Sequence, residues 1–411
     1  MMNKSIFIII LSIFFLVACG GEKKKDKSQS KMIKEEQFEE GSFGYDLTFL
    51  EEKDENLVIL RAGQSRVVVS AKYQAKVFTS SSGGNKGRSY GWINYEAFEG
   101  DENEHMNAYG GENRFWLGPE GSKFSLFFEP ETEMIYDNWR TPAPVDTESW
   151  EIEHKDTTQV KMTKTISLRN YVGTQLNMKV EREISVLTKD EIENSLKIQV
   201  ENLESVGFTT NNSITNTGEN TWNKETGAPC IWILDMFTPS DETVIVIPYK
   251  DDVEGRVATT DYFGEIPEDR INYKDAELFF KADGKSRGKL GIAPERAKTV
   301  AGSYDAKNKL LTITTFEVDN KAIYLNQEWT PEKDPLKGDA VNAYNDGPLE
   351  DGSQMGPFYE IESVSPAAFL APSEKLNHNH NVFHFTGNEE DLNKISQKVL
   401  GLSLQRISGA F

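Results

Sequence analysis

Cysteine is nearly absent. The 411-residue chain holds two, Cys19 and Cys230, so at most one internal disulfide is possible and a cysteine-based metal centre is excluded. Cys230 stands in the apolar run Pro229-Cys230-Ile231-Trp232-Ile233-Leu234, where a buried structural thiol is expected rather than a nucleophile. Positive charge is also scarce: 45 Lys and Arg face 66 Asp and Glu, a formal charge of −21. A surface of that sign gains nothing from a polyanion, which excludes nucleic acid as a partner. No repeat period and no βαβ alternation is present, which argues against solenoids and Rossmann-type sheets. No cofactor is expected.

What is there begins with Lys4 and the apolar run Ile6–Val17, too short to span a bilayer as an anchor and suited to a signal-peptide core. It ends in Leu16-Val17-Ala18-Cys19-Gly20, which resembles a bacterial lipoprotein box. The resemblance implies a signal peptide over residues 1–18 and lipidation at Cys19, which leaves Cys230 without a disulfide partner. Glycine after the cysteine resembles the sorting pattern for outer-membrane delivery. Residues 19–37, rich in Lys, Ser, Glu and Gly, read as a flexible tether with little to bury.

From residue 38 onward the pattern is β-rich. A leading helix is expected at Phe43–Glu52. Strands are expected at 56–61, 66–71, 76–80, 123–129, 150–155, 159–169, 176–187, 193–202, 231–236, 244–249, 310–318, 358–363 and 376–386. In Val180-Glu181-Arg182-Glu183-Ile184-Ser185-Val186 apolar and polar residues alternate, the mark of a strand with one wet face. Asn388 caps a C-terminal helix whose first turn carries Glu389, Glu390 and Asp391; Leu392, Ile395 and Val399 form one stripe, and Gly401 ends it. No linker follows the tether. The expected architecture is all-β: a single domain, 38–411, folded as a large antiparallel β-sandwich with the C-terminal helix on one edge.

Three segments resemble the galactose mutarotase (aldose 1-epimerase) superfamily. Ser65–Ser82 resembles its opening hairpin. Asn107-Ala108-Tyr109-Gly110-Gly111-Glu112-Asn113-Arg114 resembles its Gly-Gly turn, which follows a histidine and presents an arginine to the sugar. Tyr359-Glu360-Ile361-Glu362-Ser363-Val364-Ser365-Pro366 with Leu370–Glu374 resembles its C-terminal carboxylate strand and the turn after it. The whole chain is also similar to uncharacterised bacterial lipoproteins sharing Gly-Gly-Glu-Asn-Arg-Phe-Trp. The resemblance implies a galactose mutarotase-like supersandwich with an open sugar cleft. At the place of the family's mid-chain catalytic histidine, however, this chain carries Asn212. An asparagine donates a hydrogen bond but no proton near neutral pH, which leaves enzymatic activity an open question and makes simple mutarotation doubtful.

Candidate residues follow. Arg114 can fork onto hydroxyls or a uronate carboxylate, or pair with Glu112 or Glu120. Tyr109 and Trp116 can stack on a sugar face or serve packing. Together with Asn212, these are the expected ligand-binding residues: Tyr109, Glu112, Arg114, Trp116, Glu120 and Asn212. Glu360 and Glu362 share strand parity and one face; they read as a general base and its partner, with mutual repulsion raising one pKa, or as an exposed acidic face. His105, before the Gly-Gly turn, is the remaining proton donor in titratable range, so His105, Glu360 and Glu362 are the expected catalytic set. His378, His380 and His384 share one parity, but two alternating histidines fill half a tetrahedral shell, and no metal is expected. Asn345-Asp346-Gly347-Pro348 lacks EF-hand spacing and reads as a polar turn.

The function expected from these residues is a lipid-anchored cell-envelope protein, an outer-membrane lipoprotein facing periplasm or exterior, whose cleft binds a sugar or oligosaccharide. A sugar isomerase or epimerase is one alternative. An envelope scaffold or protein-binding module is the other.

Overall fold

Apolar–polar alternation sets the longest strands. Gln175–Val186 buries every second side chain, and it pairs antiparallel with Gln159–Arg169 from Gln159↔Ser185 to Arg169↔Gln175. The computed structural model describes residues 37–411; the expected signal segment, Cys19 and nearly all of the tether lie outside the described residues. Phe38–Phe411 form one compact unit.

Eighteen strands are seen among the described residues, in three sheets. A three-stranded sheet holds β1 (Val58–Ala62), β2 (Ser65–Ser70) and β3 (Lys76–Ser81). A five-stranded sheet takes the order β13 (Gly288–Ile292), β16 (Val341–Asn345), β17 (Tyr359–Val364), β9 (Cys230–Phe237), β4 (Arg114–Gly118). The ten-stranded sheet begins with β11 (Ile271–Lys274), β12 (Glu277–Lys281), β10 (Thr243–Pro248), β14 (Val300–Asp305) and β15 (Leu310–Phe316). It continues through β18 (Lys375–Gly387), β8 (Leu203–Asn216), β7 (Gln175–Val186), β6 (Gln159–Arg169) and β5 (Glu151–Lys155). An isolated bridge, Val77↔Asn113, hooks the three-stranded sheet beside β4.

The main core lies between the large sheet and the other two. Val160, Met178, Val180, Ile184 and Phe208 of the large sheet meet Phe115, Leu117, Ile231, Ile233 and Ile361 of the five-stranded one. Each such side chain, fully buried, stabilises by about 1.5–3 kcal/mol before entropy is counted. The architecture is the expected all-β antiparallel sandwich.

Among the described residues four α-helices frame it: α1 (Phe43–Lys53), α2 (Lys189–Leu196), α3 (Glu389–Val399) and α4 (Leu404–Ser408). Asn388 caps α3 by accepting from the Asp391 amide at 2.9 Å. Leu392 and Ile395 pack on Leu311, Ile313, Phe383 and Phe385, so α3 covers the outer face of the large sheet rather than an edge. Among the described residues no helix is long and apolar enough to cross a membrane.

Two expected strands are not strands. Residues 193–202 belong largely to α2 and the loop after it, because Thr188 and Glu191 form a capping box; Ile192 and Leu196 then bury one helical face. Residues 123–129 fold as consecutive turns. Ser125 Oγ accepts from the Phe127 amide at 3.0 Å, and Phe124, Leu126, Phe127 and Phe128 are all buried without a ladder.

Candidate functional site

The outer face of the five-stranded sheet is the floor of a cleft, and register decides which residues line it. Arg114 lies opposite Leu234, and Trp116 opposite Trp232; Leu234 faces Glu362, and Met236 faces Glu360. Glu360 faces Tyr344, which faces Lys289. Period-2 alternation puts all of these on one side, while Phe115, Ile233 and Ile361 point into the core.

The cleft encloses a cavity of about 310 Å³. Arg114, Trp116, Trp232, Lys289 and Glu360 form its base; Tyr136, Trp139, Trp329, Phe263 and Met355 stand around it. One wall is a run of near-parallel rings. His105 stacks on Tyr136 at 4.3 Å and 20°, Tyr136 on Trp139 at 6.1 Å and 21°, and Trp139 on Trp329 at 5.8 Å and 24°. Tyr136 is 56% exposed, Met355 40% and Phe263 38%, so the rim offers apolar surface to solvent.

The floor is charged and internally paired. Arg114 donates through Nη2 to Glu360 and lies 5.1 Å over the Trp116 ring. Lys289 Nζ sits 3.2 Å from Glu362 Oε2 and 4.4 Å over Trp232, whose Nε1 donates to the same carboxylate at 2.8 Å. Burial pushes Glu360 up to about 8; the Arg114 charge opposes the shift and the Glu362 charge adds to it. The rise expected for one member of the pair is present, with burial as its first cause and repulsion a lesser one. Burial also raises the Glu120 carboxyl. Among buried atoms of the lining residues, Arg114 Nε and Trp139 Nε1 have no hydrogen-bond partner among the described residues, two donors that suit a polar ligand.

Of the expected site residues, the structure brings Arg114, Trp116, Glu120 and Glu360 into this cavity, with Glu362 directly behind it. His105 is at the back of the wall: its Nδ1 lies 2.8 Å from both the Trp139 carbonyl and Arg140 Nη1, and Tyr136 covers its ring. Three others lie elsewhere. Tyr109 packs on Tyr73 and Phe98 in the cluster under α1. Glu112 is buried between the sheets, accepting from Ser80 Oγ at 2.7 Å and His384 Nε2 at 3.0 Å. Asn212 is 1% exposed and accepts from Arg182 Nη1 at 3.1 Å. It cannot reach a ligand on the outer face of the opposite sheet.

The Gly110-Gly111 bend is shaped by packing. Both take positive φ, +79° and +121°. A Cβ would fall 2.3 Å from the Trp92 carbonyl at Gly110 and 2.4 Å from Lys76 Cδ at Gly111; the bend seats the chain on its own core. The adjoining loop is clamped by Asp146, which accepts from the Asn107 amide at 3.2 Å and its Nδ2 at 2.9 Å.

His378, His380 and His384 share one face as expected, and that face is the core. His378 Nε2 donates to Ser363 Oγ at 2.8 Å, Ser363 donates to His380 Nδ1 at 2.8 Å, and His380 Nε2 donates to Asp235 at 2.7 Å. Burial lowers His378 to about 3, which keeps it neutral; the directions are those in which His380 Nε2 donates to the Asp235 carboxylate and its Nδ1 accepts. Asp235 also accepts from Asn113 Nδ2 at 2.6 Å, and Asn113 accepts from Arg182. The chain of bonds ties the large sheet to the back of the cleft floor. Among the described residues no group of three His, Cys, Asp or Glu is placed to hold a metal.

Sequence reasoning missed Arg287, Lys289, Trp232, Trp139 and Trp329. One signal existed: a lysine inside the otherwise apolar Gly288-Lys289-Leu290-Gly291-Ile292 has to leave the core on the opposite parity. Trp232 lies on β9, in a run apolar on both faces where parity gives no signal; Arg287, Trp139 and Trp329 reach the cleft through loops, where periodicity is silent.

A family model described as a family of unknown function, DUF6786, matches residues 41–411. No curated protein matches the chain. Among solved structures, a putative aldose 1-epimerase from Escherichia coli K12 is 12% identical, with 80% of this chain and 98% of that one covered at a TM-score of 0.49. A galactose mutarotase related enzyme from Lactobacillus acidophilus is 10% identical, with coverages of 81% and 98% and a TM-score of 0.45. A galactose mutarotase-like protein from Lactobacillus casei is 10% identical, with coverages of 80% and 100% and a TM-score of 0.45.

Proposed function

Because the chain belongs to DUF6786, a family of unknown function, its own cleft has to carry the reading, and we propose that it is a carbohydrate-binding protein of the cell envelope. The observation that carries this is the pairing of an aromatic wall with a floor of charged donors and acceptors in one open cavity. A sugar ring presents C–H faces to stack on rings, and hydroxyls that both donate and accept at its edge. Arg114 offers Nε, Glu360 and Glu120 offer oxygens, and Trp139 offers an indole N–H. A purely apolar ligand would leave these buried polar groups unpaired, at about 1–3 kcal/mol each.

Four of the seven tryptophans, Trp116, Trp139, Trp232 and Trp329, line the cavity, so intrinsic fluorescence reports on it. Titration with a panel of mono- and oligosaccharides is expected to give a saturable change in emission with at least one sugar. A panel that leaves emission unchanged while direct calorimetry is also silent refutes the reading.

A second reading, sugar isomerase or epimerase chemistry, is favoured by one feature. A carboxyl held near 8 inside the cleft, Glu360, stays protonated near neutral pH and can act as a general acid. Turnover of a bound sugar, followed by NMR and lost in Glu360→Gln, would separate enzyme from binder.

The lipid anchor at Cys19 belongs to the same proposal and rests on the sequence. Cys19→Ser is expected to move the protein from the membrane fraction to the soluble fraction, since the proposed attachment is a lipid on that side chain. A variant that stays membrane-bound after a high-salt wash contradicts the anchor and leaves the cleft reading untouched.

A further inference from the structure

The saccharide reading leaves the ligand's class open, and the charge distribution in the cleft narrows it. Three cations and two carboxylates line the cavity: Arg114, Arg287 and Lys289 against Glu120 and Glu360. In a chain with 66 acidic and 45 basic residues, that is a local reversal of sign. Two of the cations are internally paired, Arg114 with Glu360 and Lys289 with Glu362 at 3.2 Å. Arg287 is not. Among the described residues no carboxylate lies within ion-pair distance of it, although acidic partners are plentiful elsewhere on the surface.

Arg287 is nevertheless held in place. Its guanidinium carbon lies 3.9 Å over the Phe263 ring, and its Nε donates to the Tyr344 hydroxyl at 3.3 Å. That hydroxyl in turn donates to Asp346 at 3.0 Å, and Asp346 is fixed by the Gly356 amide at 2.9 Å. Stacking fixes the plane of the fork, and the Tyr344 bond occupies Nε, so both Nη atoms are left for a ligand. Planar, fixed and unpaired, this fork matches a carboxylate, which accepts two parallel N–H bonds. Phe263 and Met355 beside it supply the apolar rim that a sugar ring would cover.

We propose that the cleft takes an acidic saccharide, a uronate-containing oligosaccharide whose carboxylate is read by Arg287 at the rim while its ring lies toward the aromatic wall. The inference rests on the carbohydrate reading and goes beyond it. The long-range field of an acidic chain repels such a ligand, and local pairing with Arg287 offsets that; binding therefore depends weakly on bulk charge and strongly on one side chain.

The test is calorimetry of the full chain with oligogalacturonate, oligoglucuronate and alginate oligosaccharides, each beside its carboxyl-reduced neutral counterpart, and with sulfated galactan oligosaccharides. At least one uronate is expected to bind tenfold or more tighter than its reduced counterpart. Arg287→Gln should reduce that tenfold preference to within about twofold; the side chain is exposed, so the fold is not at risk. Equal binding of uronate and neutral forms, or an unaltered preference in Arg287→Gln, overturns the inference while the carbohydrate reading stands. Binding of the sulfated series alone overturns the carboxylate assignment. If no saccharide binds and tryptophan emission is also silent across the wider sugar panel, the carbohydrate reading itself falls.

Discussion

Arg114→Ala is expected to weaken saccharide binding by about tenfold or more and to destabilise the protein by an amount that grows with pH. The side chains of Arg114 and Glu360 are 7% and 8% exposed, so the pair is desolvated and the removal of one partner strands the other. Breaking such a pair costs about 3–5 kcal/mol when the orphan stays charged. Glu360 has an escape, because burial already holds its carboxyl at about 8. A carboxyl raised in the folded state binds its proton more tightly there than in the unfolded chain. Its contribution is fully present below the ordinary carboxylate range and is lost as pH rises through the folded pKa. Removing Arg114 takes away the cation that opposes the rise, so the pKa climbs further. Near pH 6 Glu360 is protonated with or without Arg114, and the variant loses packing on Trp116 and one bond. Above pH 8 the parent ionises Glu360 against Arg114, and the variant has nothing to offer it. Urea unfolding at pH 6 and pH 9.5 should therefore show a wider gap at the higher pH, and Glu360→Gln in the Arg114→Ala background should close it. An equal gap at both pH values would count against this account of the pair. For binding, loss of a charge-assisted bond costs roughly 1.5–3 kcal/mol, about tenfold or more in affinity.

The second large effect is expected at Asp235, far from solvent. Asp235 accepts from His380 Nε2 at 2.7 Å and Asn113 Nδ2 at 2.6 Å, and all three residues are fully buried. Asp235→Ala leaves two donors without acceptors and takes the counter-charge from beside Arg182, whose guanidinium burial already lowers to about 9. The expected cost is about 3–5 kcal/mol, the range for a broken buried pair. Asp235→Asn keeps the shape and one acceptor, and should cost less, about 1–3 kcal/mol. Equilibrium unfolding of the two variants checks this order; Asp235→Ala no worse than Asp235→Asn would mean that the network contributes little. Since Asn113 precedes Arg114 on the same chain, Asp235→Ala should also weaken the cleft.

The same two positions show what could be read without a structure. The strands at 159–169 and 176–187 were legible because a half-buried sheet forces alternation, and the C-terminal helix because Asn388 and the acids after it suit an N-terminus. Parity put Glu360 with Glu362, and grouped the three histidines, correctly. Parity does not say which side of the sandwich a face meets. That is decided by contacts such as Arg114–Glu360, separated by 246 residues, and it sent the histidines, Glu112 and Asn212 into the core while Glu360 met the cleft. The apolar run Phe124–Phe128 looked like a strand because hydrophobicity alone does not distinguish a ladder from a buried turn. The rim residues Tyr136, Phe263 and Trp329 sit on loops, where no period announces a shared cavity.

The claim that organises this account is that a saccharide lies on the outer face of the five-stranded sheet. A crystal structure of the protein with the tightest-binding sugar from the titrations tests it most directly. The account predicts a sugar ring packed on the Tyr136–Trp139–Trp329 wall, with hydroxyls in hydrogen-bond reach of Arg114 and Glu360. A sugar bound instead in the separate groove beside Asp46, Arg88 and Tyr95, with the aromatic cavity left empty, would contradict it.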